Sequence, residues 1–159
     1  VARHWVPAFA GTTESLPCSR VIHTRSEDVM RILQPLDWAV PKGYANGVAA
    51  RGTTVFVGGQ IGWNARQEFE TDDFVGQSRQ ALANVVAVLR EAGAGPEHVT
   101  RMTWYVVDKR EYVTSARALG AAYREVMGRH YPAMTAVAVT ALMEDRAKVE
   151  IEVAAVVPD

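Results

Sequence analysis

Cysteine is almost absent from this chain, where Cys18 stands alone. A single cysteine closes no internal disulfide, so the fold must rest on its core, and nothing points to an oxidising compartment. Long apolar runs are also missing. None reaches the ~18 residues needed to span a bilayer. No apolar stretch behind a basic start marks a secretory leader. A cytoplasmic protein with no membrane partner is expected. Excess charge of either sign is lacking too: 17 Lys and Arg against 18 Asp and Glu leave a formal net charge of −1. Nucleic-acid affinity comes mainly from cations that neutralise phosphates, so nucleic acid is not an expected partner. The four histidines, His4, His23, His98 and His130, have no ligand-type spacing. A zinc site wants three or four converging ligands, so no metal is expected.

Pattern is absent from the start of the chain. Residues 1–29 carry scattered Ser, Thr and two prolines, with no period of 2 or 3.6. They are expected to form a poorly ordered extension, with Met30 as a candidate natural start and residues 30–159 as one domain. Apolar residues make up 48% and charged residues 22% of the sequence, which is a globular balance. A chain of this length buries enough surface for one good core.

Regular patterning begins near Gly43. Tyr44–Arg51 and Thr53–Ile61 are two extended runs around Arg51-Gly52, which predicts a hairpin. A short strand is expected near Gln67–Glu70. Thr71-Asp72-Asp73 offers capping oxygens, and Val75, Ser78, Leu82, Val85, Val86 and Leu89 recur at helical spacing up to Gly93. Val99–Val107 is rich in β-branched and aromatic residues and reads as a strand. Tyr112, Ala116, Leu119, Tyr123 and Val126 predict a second helix that Gly128 ends. Strands over Ala133–Leu142 and Ala147–Val157 follow, joined by Met143-Glu144-Asp145-Arg146.

The predicted order is β-β-(β)-α-β-α-β-β, an α+β layer with both helices on one face of the sheet. Water or a partner must then satisfy the other face. In the last strand Val149, Ile151, Val153 and Ala155 point one way, and Lys148, Glu150 and Glu152 the other. In the strand before it, Met134, Ala136, Ala138 and Thr140 share a face of small residues. That face suits the close approach of a second subunit, so a homo-oligomer is expected with Met134 beside Glu150.

Chemistry has few carriers. Val57-Gly58-Gly59-Gln60-Ile61-Gly62 lacks the Lys-Ser/Thr of a phosphate loop and does not open a helix. Its glycines bare the backbone instead, so N–H groups can meet a ligand or a neighbouring subunit. The serines stand in no nucleophile-elbow context. Glu150 and Glu152 have two readings. They form a solvated face, or an oligomer interface covers them and one carboxylate orients a water or takes a proton.

Several segments resemble the RidA/YjgF family. Gly43-Tyr44-Ala45-Asn46-Gly47-Val48 is similar to that family's Gly-Pro-Tyr-Ser-Gln-Ala/Gly-Val, and Val57-Gly58-Gly59-Gln60-Ile61 to its Val-Ser-Gly-Gln-Ile. Gln80-Ala81-Leu82-Ala83-Asn84-Val85 looks like its Gln-Ala-Leu-Glu-Asn-Leu helix. Tyr131-Pro132-Ala133-Met134-Thr135 sits where the family has Phe-Pro-Ala-Arg-Ser, and Val149-Glu150-Ile151-Glu152 matches Val-Glu-Ile-Glu. The resemblance implies a chorismate-mutase-like fold and a barrel-like homotrimer with small-molecule clefts between subunits. It implies cofactor-independent hydrolysis of an enamine or imine. The water-positioning glutamate would be Glu150. The ligand-contacting positions would be Tyr44, Gly58, Gly59, Tyr131, Met134, Thr135 and Ala136.

The sequence departs from the family at three places. Met134 replaces the arginine that pairs with the substrate carboxylate, Gly58 replaces a serine, and an asparagine of the second helix falls near Gly120. A thioether makes no bidentate clamp. Hydrolysis of the usual 2-iminoacids is therefore not expected. Two readings follow: a deaminase of another enamine or imine, and a non-catalytic ligand-binding or regulatory trimer. Arg66, Arg101 and Lys148 are the candidates for a replacement cation.

Overall fold

The computed structural model describes residues 29–159. The extension expected over residues 1–29, with Cys18, His4 and His23, lies outside the described residues apart from Val29. The elements are β1 (Met30–Leu33), β2 (Gly47–Ala50), β3 (Thr53–Ile61), α1 (Phe74–Glu91), a 3-10 turn (Pro96–His98), β4 (Val99–Val106), α2 (Lys109–Thr114), α3 (Ala116–Met127), β5 (Ala133–Ala138) and β6 (Val149–Val157).

Four strands form the main sheet in the order β3-β6-β4-β5. β6 is antiparallel to both of its neighbours, and β5 runs parallel to β4. The helices cover one face, as expected of an α+β layer. Val57, Met102, Trp104, Val106, Val149, Ile151, Val153 and Ala155 point into the helices and are buried. Phe74, Leu82, Val85 and Leu89 of α1 and Leu119, Tyr123 and Met127 of α3 meet them in one cluster. Each such side chain contributes about 1.5–3 kcal/mol by leaving water.

Local chemistry sets the helix ends. Asp73 accepts a hydrogen bond from Gly76 N–H at 2.7 Å and caps α1. Gly93, at φ +67, lets the chain leave the helix while its N–H reaches Arg90 O. The second predicted helix is two. Ser115 has ψ 4, and Thr114 Oγ1 donates back to Arg110 O at 2.9 Å, which ends α2 before α3 starts.

The predicted hairpin does not form. β2 pairs with β1, a strand the sequence reading did not assign, while β3 pairs with β6. Gly52, at φ +141, lies directly against the backbone of Val157, so the chain joins the end of β6 as soon as it turns. The short strand near Gln67–Glu70 reduces to one bridge, Trp63 to Phe69. Asn64 Oδ1 takes the N–H groups of Arg66 and Glu68 and folds that segment into a turn. β5 stops at Ala138, and β4 separates it from β6.

Met134 is not on the face of Glu150. It lies in register with Met102, and Ala136 with Trp104, so both pack against the helix-side core. The open face of β5 carries Thr135 and Val137 instead. Among the described residues, no helix is long and apolar enough to cross a membrane.

Candidate functional site

Register places the open face of the sheet in ranks. Arg101 is level with Ala154 and Ala133, and Phe56 with Ala154. Thr103 is level with Glu152 and Thr135. Tyr105 is level with Glu150 and Val137. One strand period of two residues, ~6.6 Å, separates the ranks.

A bulge shapes the edge beside Glu150. Val57 pairs with Val153 and Gln60 with Ile151, so Gly58 and Gly59 both stand opposite Glu152. The Glu150 carboxylate rests on Gly59: a Cβ there would collide with Oε1. A Cβ on Gly58 would meet nothing within 4 Å. The glycine-rich stretch is therefore a bulged strand end that also gives the carboxylate its seat.

Helix α1 holds this edge in place. Asn84 Nδ2 donates to Ile61 O at 3.0 Å and to Trp63 O at 2.8 Å, and Gln80 Nε2 donates to Asn84 Oδ1. Gln77 is fully buried. Its amide donates to Thr71 O and Arg146 O, and its oxygen accepts Lys148 N–H at 2.9 Å. That fixes the chain two residues before Glu150.

Tyr105 Oη donates to Glu152 Oε1 at 3.0 Å. This hydrogen bond holds the phenol above its ordinary value of 10; partial burial and the charges of Glu152 and Glu150 push the same way, while Arg101 opposes them. Beside the pair is an open depression of about 300 Å³, lined by Phe56, Gly58, Arg101, Thr103, Glu152 and Ala154 among others.

The remaining expected site residues lie elsewhere. Tyr44 is half-buried, and its neighbour Ala45 bridges Ala133 through Ala45 N–H to Pro132 O at 2.9 Å. Tyr131 stacks on Tyr123 with centroids 5.5 Å apart. Met134 and Ala136 face the core, and Thr135 is exposed on the open face. Two strand spacings, ~10 Å, separate β5 from β6. Within one protomer, then, Gly58, Gly59 and Glu150 form one group, and Tyr44, Tyr131, Met134 and Ala136 another.

The candidate cations also separate. Arg66 pairs with Glu68 at 2.9 Å, and Lys148 Nζ with Glu111 at 2.8 Å. Arg101 projects onto the open face. His98 Nδ1 accepts Gly95 N–H, and His130 Nε2 lies 2.6 Å from Val99 O, so both serve local packing. Among the described residues, no cluster of His, Cys, Asp and Glu is suited to a metal ion. Sequence reading named Arg101 as a candidate cation and Glu152 as a candidate carboxylate, but passed over Thr103 and the pairing of Tyr105 with Glu152. Their signal was the alternation of Arg101, Thr103 and Tyr105 along β4.

The family model described as Endoribonuclease L-PSP matches residues 38–157. The chain belongs to the RidA/YjgF family. A RutC family protein of Synechocystis sp. is 31% identical over 135 residues, covering 81% of this chain and 98% of its own. The 2-iminobutanoate/2-iminopropanoate deaminase of Salmonella typhimurium is 32% identical over 116 residues, covering 71% of this chain and 86% of its own. Among solved structures, the Rid family protein YyfB from Yersinia pestis superposes with a TM-score of 0.72 at 30% identity, over 81% of this chain and 99% of that one. RidA/YjgF membership accounts for the α+β layer, with its helices packed on one face of the sheet.

Proposed function

We propose that this protein hydrolyses an enamine or imine other than the usual 2-iminoacids, in clefts between the subunits of a homotrimer. The seating of Glu150 on Gly59 carries this reading. A carboxylate lodged against a bare strand edge has a fixed position, which general-base chemistry requires. Glu150 takes a proton from water as the water oxygen bonds to the C=N carbon. The proton passes to the nitrogen as the C=N π bond opens, giving a carbinolamine; its hydroxyl proton then moves through Glu150 to the nitrogen, the C–N bond breaks as the C=O bond forms, and ammonia leaves with the carbonyl product behind. Backbone N–H groups at the Gly58-Gly59 bulge hold the substrate. No cofactor enters this balance.

The division of site residues supports the trimer. Tyr44, Tyr131, Met134 and Ala136 mark one edge of the sheet, and Gly58, Gly59 and Glu150 the region of the other. A neighbour's β5 edge laid against the bulge joins the two groups into one cleft. Met134 favours a second reading, a ligand-binding trimer without turnover, because it removes the carboxylate clamp. Ammonia release across an enamine and imine panel separates the two. The enzyme reading expects turnover of at least one apolar member, lost in Glu150→Gln at unchanged folding. Full turnover in that variant would sink the mechanism. No turnover on any member, with a ligand that still raises the melting temperature, would establish the binding reading.

A further inference from the structure

We infer that Ile61 and Trp63 wall the Glu150 site and set its specificity, for a neutral imine or enamine that carries an aromatic substituent and no carboxylate. This rests on the hydrolysis proposed above and names its substrate class. Ile61 is level with Glu150 in the pairing of β3 with β6. Opposed residues of an antiparallel pair project from one face, so Ile61 stands beside the carboxylate. It is 8% exposed, yet it takes no part in the helix-side core cluster. A Cβ on Gly62 would strike Gln77 of α1, so position 62 looks toward the helices. Alternation then turns Trp63 to the side of Ile61, one strand period of ~6.6 Å farther along.

The wall is braced. Asn84 Nδ2 donates to the carbonyls of both Ile61 and Trp63. The Trp63 ring lies against Phe69 with centroids 6.2 Å apart, and the Arg146 guanidinium covers the Phe69 ring at 5.2 Å. An indole held in this way offers apolar surface at little cost in entropy. Charge selects against an acid. Glu150 and Glu152, two residues apart on one strand face, repel an anion. The cations nearest to Glu150 and Trp63 in the chain are already paired: Lys148 with Glu111, Arg146 with Asp72 and Arg66 with Glu68. Arg101 stands two ranks, ~13 Å, from Glu150. A neutral C=N group with an aromatic substituent fits both the wall and the charge. Two-electron oxidation of a primary amine is the class of reaction that supplies such an imine.

Imines made in place test this on the assembled protein. A flavin-dependent amine oxidase with 2-phenylethylamine gives the neutral imine. An L-amino-acid oxidase with L-phenylalanine gives the same side chain with a carboxylate, and n-propylamine gives a small neutral imine. Competition with semicarbazide reads how fast each is hydrolysed. The kcat/KM for the phenylethyl imine should exceed that for the 2-iminoacid by at least about tenfold, since the acid finds no clamp. Trp63→Ala should lower kcat/KM for the phenylethyl imine roughly tenfold, through KM, and change the propyl imine by less than about twofold. Trp63→Phe should restore most of the loss. The ratio of the two neutral imines, taken on one preparation, is unaffected by any loss of folded protein. A faster 2-iminoacid would overturn the substrate class and leave the reaction standing. An unchanged ratio of the neutral imines in Trp63→Ala would overturn the wall. No acceleration of any of the three imines, or full turnover in E150Q, would overturn the hydrolysis itself and this inference with it.

Discussion

The Glu150 carboxylate occupies the space that a side chain at position 59 would need. With the carboxylate in this position, only hydrogen fits at residue 59. Gly59→Ala must either turn the carboxylate out or open the bulge. The atoms displaced are the far end of a flexible side chain, so we expect little loss of stability but a fall in ammonia release of at least about tenfold through lost positioning. Gly58→Ala is the control, because its added Cβ meets nothing within 4 Å. Urea denaturation and a turnover assay on both variants check this. Equal behaviour of the two would show that the seat is unimportant.

Gln77 acts on Glu150 at a distance. One buried amide closes three backbone groups, at Thr71, Arg146 and Lys148, and so aims the first turnable residues of β6. Gln77→Leu keeps much of the volume and leaves those groups without partners. A loss of about 2–4 kcal/mol is expected, since each abandoned buried group costs about 1–3 kcal/mol and some reach water. Chemical denaturation measures it. A variant as stable as the parent would mean that the loop finds other partners.

Local pattern made the helix-covered half of the fold legible. The alternation Val149, Ile151, Val153, Ala155 and the stripe along α1 are direct consequences of one-sided burial. Pairing partners were not legible in the same way. Arg51-Gly52 is a true turn, yet it delivers β3 to β6, more than 90 residues downstream, because Gly52 nests on Val157. Turn residues report that a chain bends and not what it meets afterwards. The face of Met134 was misread for a related reason. Met134 and its neighbours Ala136 and Ala138 are small or apolar, and such residues suit a core rim as well as an interface. Only register with Met102 and Trp104 decides between them.

Two phenols tie stability to alkaline pH. Tyr105 is held above 10, first by its hydrogen bond to Glu152, and Tyr123 by burial with a smaller push from Tyr131. In the unfolded chain both ionise near 10. Above that pH the unfolded state binds fewer protons than the folded state, so stability falls as pH rises. The stabilisation is complete below pH 10 and lost above it. Melting curves from about pH 8 to 11.5 should show the decline, and Tyr105→Phe should make it shallower by removing one of the two groups. A decline unchanged in Tyr105→Phe would place the linkage on Tyr123 and not on the Tyr105–Glu152 pair.

Met134→Arg probes the proposed cleft most directly. Met134 is half-buried at the core rim on β5, the outer strand of the sheet, so an arginine there can lay its stem along the rim and carry its guanidinium past the edge. Within one protomer the new charge stays remote from Glu150, on the other face and about 10 Å away across two strands. It can serve the reaction only if the β5 edge abuts the Gly59 bulge of a neighbouring subunit. In that arrangement the variant gains a carboxylate clamp of about 1.5–3 kcal/mol, and 2-iminoacid turnover should rise roughly 10- to 150-fold. Adding Glu150→Gln in the same chain should abolish the gain. Turnover that stays at the parent level in a folded, oligomeric Met134→Arg protein would show that the two groups of residues never share a cleft.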